Sequence, residues 1–75
     1  MKKYEVYREI YNPCSKTYIF DNNFFHEIET DNTDLTLKNW IYGDMPKYEK
    51  NILSDGSVEY ILYLPRKERY TFSII

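Results

Sequence analysis

The sequence predicts a small α+β domain, a mostly antiparallel sheet in the order β-β-β-α-β-β-β with one short helix packed on it. Three observations lead there. Ser57 to Leu64 sets Val58, Tyr60, Leu62 and Leu64 on one face and Ile61 and Tyr63 on the other, the pattern of a strand covered on both sides. Arg69 to Ile75 alternates, with Tyr70, Phe72 and Ile74 against Arg69, Thr71 and Ser73, as a half-exposed neighbour would. A polar cluster, Thr30 to Asp34, precedes Leu37, Trp40 and Ile41 at helical spacing. The alternative architecture is a small, partly closed barrel, because six short twisted strands can curl.

Taken in order, Lys2 to Tyr11 carries Tyr4, Val6 and Ile10 on one face, which Arg8 interrupts, and Glu5, Tyr7, Glu9 and Tyr11 on the other. Asn12-Pro13-Cys14-Ser15 is turn chemistry, Thr17 to Asp21 the return strand, and Asn22-Asn23 a second tight turn before Phe24 to Thr30. The helix is expected from about Asp34 to Tyr42, with Gly43 as its left-handed cap and Pro46 blocking continuation. Lys47 to Leu53 reads as an edge strand, turned back by Ser54-Asp55-Gly56-Ser57. Leu64 to Glu68 joins the last two strands. Residues 1–75 make a single domain without repeat or linker.

Such a chain buries only roughly 60% of its unfolded surface. Nine Tyr, four Phe and one Trp enlarge the thin core and leave aromatics over for the surface. A formal net charge of −2 offers no general attraction to nucleic acid or anionic membranes. The single Cys14 cannot form an internal disulfide, no charged-then-apolar leader is visible, and the apolar run Tyr60 to Leu64 is too short to span a bilayer. A cytoplasmic protein of a bacterial host is the expectation. Lys outnumbers Arg and Asn, Ile and Tyr are abundant, the bias of AT-rich genes in low-GC bacteria and their phages.

No motif names a reaction. Cys14 and His26 form a nucleophilic pair only if the first hairpin joins them, and one His with one Cys cannot complete a structural zinc set. His26, alternating with Phe24 and Ile28, is expected to be half-buried against a backbone or carboxylate partner. No cofactor and no metal are expected, and no phosphate-cradling glycine loop exists, Gly43 and Gly56 being the only glycines. Two charge clusters remain. Asp21 to Leu37 holds Asp21, Glu27, Glu29, Asp31 and Asp34 with no Lys or Arg, and a solvated acidic face is its plainest meaning. Arg66, Lys67 and Arg69 with Tyr63 and Tyr70 form a basic aromatic corner, diluted by Glu68.

The functional expectation is a non-enzymatic protein-binding module, in its most concrete form a phage or mobile-element inhibitor or adaptor that binds a host enzyme or defence protein stoichiometrically. Its partner-binding residues would be Phe25, Glu27, Glu29, Asp31, Asp34, Tyr7, Tyr11 and Tyr63, an acidic and aromatic surface suited to a basic partner. The exposed aromatics would serve a homodimer equally. The alternative is a small nucleic-acid or nucleotide-binding protein using Arg66, Lys67, Arg69 and Tyr70. A third class is a small enzyme working through Glu27 and Glu29, or through Cys14 and His26.

Overall fold

The computed structural model describes all 75 residues. Lys2–Asn12 (β1) and Thr17–Thr30 (β2) form a long hairpin, Thr33–Trp40 is the helix α1, and Tyr48–Ile52 (β3), Val58–Leu62 (β4) and Glu68–Ile74 (β5) make an antiparallel meander. The five strands join in one sheet of order β2-β1-β5-β4-β3, with β1 antiparallel to β5. The protein is thus α+β as expected. Its sheet is open between β2 and β3, which removes the barrel alternative. The middle strand is β5 rather than the Ser57 to Leu64 segment, because the closing β1–β5 pair places Phe72 between Val6 and Val58.

Five strands stand where six were expected, because Asn22-Asn23 is not a turn. Tyr7 pairs with Phe25 and Glu9 with Phe20, so the four residues from Asp21 to Phe24 lie opposite Arg8 alone. This is a large bulge inside one continuous strand. Arg8 holds it: Nε and Nη2 both donate to Asp21 Oδ2, the first at 2.9 Å, while the guanidinium lies over the Phe24 ring at 4.9 Å. Asp21 Oδ1 accepts from the Asn23 N–H at 3.0 Å and closes a local Asx turn. The bulge also changes the strand's phase. Phe20 and Phe25 come to share the outer face, so Phe20 is 61% exposed, while Phe24 turns inward.

The core lies between the sheet's inner face and α1 and consists of Tyr4, Val6, Leu37, Val58, Tyr60, Leu62, Tyr70 and Phe72. Trp40 anchors the helix, stacking on Phe72 at 5.8 Å and on His26 at 4.9 Å. His26 is therefore a stacking partner on an exposed edge, not the half-buried, hydrogen-bonded residue anticipated. Asn32 caps α1 by accepting from the Leu35 N–H at 3.0 Å. The helix ends at Trp40, two residues early, because Ile41 is already extended and its N–H reaches back to the Lys38 carbonyl. Gly43 is left-handed, but in the loop beyond the cap.

A polar link, buried at Thr33 and Tyr60 and exposed at Asp34 and Lys50, ties helix to sheet. Tyr60 donates to Asp34 Oδ1 and shares a 2.7 Å hydrogen bond with Thr33, and Lys50 Nζ sits 3.0 Å from the same carboxylate. Asp34 is held below the usual carboxylate range by Tyr60 and Lys50, Asp21 by Arg8 and the Asn23 N–H, and Asp55 by the Ser57 N–H. Depressed carboxylates add stability that is complete above the unfolded pKa near ~4 and is lost as pH falls through the lower folded values. The urea midpoint is therefore expected to stay level from pH 7 to 5 and to fall below about pH 4. Asp34→Asn should shrink that acid-dependent drop, and a drop of full size in this variant would refute the assignment.

The Ser54-Asp55-Gly56 loop closes β3 onto β4 through Leu53 N–H to Ser57 O at 2.8 Å. Gly56 takes φ +91, and a Cβ there would lie 2.9 Å from Ile74 Cδ1. The side-chain tip can move; the backbone angle cannot easily suit an L-residue. Gly56→Ala should cost about 1–2 kcal/mol, visible as a thermal midpoint lowered by roughly 4–8 °C for each kcal/mol.

Candidate functional site

Helix α1 covers the inner face only, so the outer face has no second layer. The register fixes its rows. Phe25, Tyr7, Thr71, Glu59 and Asn51 make one row across the sheet; Phe20, Glu9, Arg69, Ile61 and Glu49 make the next. Tyr18 and Tyr11 extend it toward Lys67 and Tyr63 at the turn end. In the other direction lie Glu27 opposite Glu5, then Glu29 opposite Lys3.

The rings on this face touch. Tyr7 and Phe20 are 5.4 Å apart, Tyr11 and Tyr18 5.3 Å, and the Arg69 guanidinium lies 4.2 Å over Tyr18. Arg69 also makes a two-pronged pair with Glu9 at 2.9 and 3.0 Å, which raises its pKa further. Tyr63 donates to Glu49, and this bond pushes the phenol up. Phe25 is 57% exposed, whereas Thr71 at the centre is only 6% exposed. The face therefore has a filled floor and an open aromatic crest along β2 and β1.

Of the residues expected to bind a partner, Tyr7, Tyr11, Phe25, Glu27, Glu29 and Tyr63 share this face. Asp34 does not, since it faces Tyr60 and Lys50 on the helix side, and Asp31 lies 3.8 Å from the N-terminal amine. The uninterrupted acidic stretch of the sequence is thus divided in space: Asp21 belongs to Arg8 and Asp34 to Lys50. Glu5, the fourth residue of β1, is the acidic neighbour the linear reading missed. Tyr18 and Phe20 were missed as well, because the bulge hides which face they occupy.

The basic corner is also rearranged. Tyr70 is buried on the inner face, accepts from Arg8 at 3.4 Å and donates to Glu68 at 3.0 Å; burial pushes its phenol up, against the opposing pull of Arg8. Arg69 is matched by Glu9. What remains is Arg66 with Lys67, whose ammonium lies 5.0 Å from the Tyr11 ring and 5.6 Å from that of Tyr63. Arg66 borders two shallow clefts, of about 460 Å³ beside Ile10 and Ile19 and about 620 Å³ beside Tyr63 and Pro65.

No protein family, curated protein or solved structure matches this chain. Cys14 lies beyond the hairpin end at Asn12, whereas His26 pairs with Val6, about 20 Å up the strand at 3.3 Å per residue. They cannot act on one substrate atom. No cluster of three His, Cys, Asp or Glu has metal-binding geometry, and no helix is long and apolar enough to cross a membrane.

Proposed function

We propose that the protein is a non-enzymatic protein-binding module whose contact surface is the outer face of the sheet. One observation carries this reading: a contiguous aromatic crest, Tyr7, Phe20 and Phe25 continuing into Tyr11, Tyr18 and Tyr63, lies on a sheet face that no other element covers. Aromatic side chains give large contact area at small entropy cost, and they are enriched where binding energy concentrates. Glu5 and Glu27 flank the crest at one end and favour a partner with basic groups there. Stoichiometric inhibition or adaptation of a host protein, by a phage or mobile-element product, is the form of this function that the size and composition support.

The test is affinity capture from nuclease-treated bacterial lysate, compared among the wild-type chain, Phe20→Asp/Phe25→Asp and Arg66→Ala/Lys67→Ala. Both phenylalanines are more than half exposed, so the first variant should keep its fold. A single polypeptide retained at a fixed ratio by wild type should bind it roughly 30-fold more weakly or worse, the loss of one hot spot of about 2 kcal/mol. The basic-corner variant should retain it. Capture that vanishes with nuclease, or that depends on Arg66 and Lys67 alone, would replace this reading with nucleic-acid binding. Capture of only the same chain would identify the crest as a dimer face.

A further inference from the structure

The two edges of the sheet differ in kind. β3 is a five-residue edge that carries Lys50, and Pro46 precedes it, the usual devices that discourage strand addition. β2 is the other edge, and beyond its bulge the run Phe25 to Thr30 stays in unbroken register with β1 and contains no Lys, Arg, Pro or Gly. Its far side has no strand partner. A run of this kind presents outward N–H and C=O groups ready to pair with another extended chain.

Side chains on the two faces of this run say which chain. On the outer face Glu27 lies directly across from Glu5, a like-charge pair that is unfavourable by itself, and neither carboxylate is in an ion pair. Glu29 follows on the same face. On the inner face Phe24, His26 and Ile28 continue the aromatic edge that ends in Trp40. A second copy of this chain fits poorly. Centring a two-fold on Glu27 would set that glutamate against itself, and centring it on Ile28 would set Glu27 against Glu29.

We infer that the Phe25 to Thr30 edge of β2 receives an extended strand from the partner protein, one that alternates basic and apolar residues. The basic residues face Glu5, Glu27 and Glu29, and the apolar ones face His26 and Ile28. The inference rests on the protein-binding reading above and adds the mode of binding: main-chain pairing provides the affinity and the two alternating faces the selection.

A short peptide alternating lysine and valine is the probe, titrated into the isotope-labelled chain at low salt. Amides of the Phe25 to Thr30 run should shift and become slower to exchange, while those of β3 stay unchanged. N-methylation of alternate peptide nitrogens should weaken binding about tenfold or more, because it removes ladder donors. Glu27→Lys/Glu29→Lys should reject the lysine peptide and accept one alternating glutamate and valine. Shifts confined to Tyr11, Tyr63 or β3, equal binding of the N-methylated peptide, or indifference to the charge swap would overturn the inference. If the charge swap leaves capture of the cellular partner intact while Phe20→Asp/Phe25→Asp abolishes it, only the strand-addition inference fails. If neither variant affects capture, the outer-face reading fails with it.

Discussion

Phe72→Ala is expected to leave the chain largely unfolded. Phe72 has no exposed surface and stands on the middle strand between Val6 and Val58, with Trp40 stacked above it and the Tyr4 and Tyr60 rings against its edges at 6.0 and 5.6 Å. Removing a buried phenylalanine costs about 3–5 kcal/mol. A domain of this length has about 4–11 kcal/mol in total, at ~0.05–0.15 per residue. Only eight apolar residues form the core, and four of them are aromatic, so little remains to close over the cavity. Trp40, the one tryptophan, reports the outcome directly. Its emission should shift to the red without denaturant in Phe72→Ala and stay blue in Phe72→Leu. A Phe72→Ala protein with a cooperative urea transition near the wild-type midpoint would show that the ring cluster does not hold the sheet to the helix.

How much of this could be read from the chain depends on how local the deciding interaction is. The alternation in Arg69 to Ile75, the Asp-Gly turn and the helix carrying Trp40 are local, and each stands near its expected place. The central position of β5 was not legible, because it follows from β1 pairing with the far end of the chain, from Ile10 with Glu68 to Tyr4 with Ile74. The outer aromatic face was half legible. Tyr7, Tyr11, Phe25 and Tyr63 alternate away from the core residues of their own strands, but Phe20 lies beyond a phase change that no short window reveals. The acidic surface misled in a related way. Runs of like charge along a chain say little when Arg8 and Lys50, distant in sequence, neutralise Asp21 and Asp34.

The bulge is where local preference and tertiary contact disagree most, and Arg8→Ala should shift the balance. Asp21-Asn22-Asn23 favours a turn by itself, since Asn accepts the backbone angles of tight turns. In the folded chain Arg8, the residue that breaks the apolar face of β1, reaches across to Asp21 and Tyr70 and covers Phe24. Its bonds raise the guanidinium pKa despite the opposing effect of burial, so the charge is present at every accessible pH. Truncation removes charge-assisted bonds and the packing of the side-chain stem on Phe24 at once, an expected loss of about 2 kcal/mol. The signature lies in where exchange rises. Amides of Phe20 to Phe25 should lose protection far more than those of β4 and β5, because the bulge loses its Asp21 and Phe24 contacts whereas β5 loses only a 3.4 Å bond to the Tyr70 hydroxyl. The outer face would feel this loss, since Phe20 and Phe25 share it only while the four residues stay looped out opposite one. Arg8→Ala should then weaken partner capture although Arg8 itself points to the other side of the sheet. Uniform loss of protection across all five strands would mean that the bulge is held by the sheet as a whole and that Arg8 merely fills space within it.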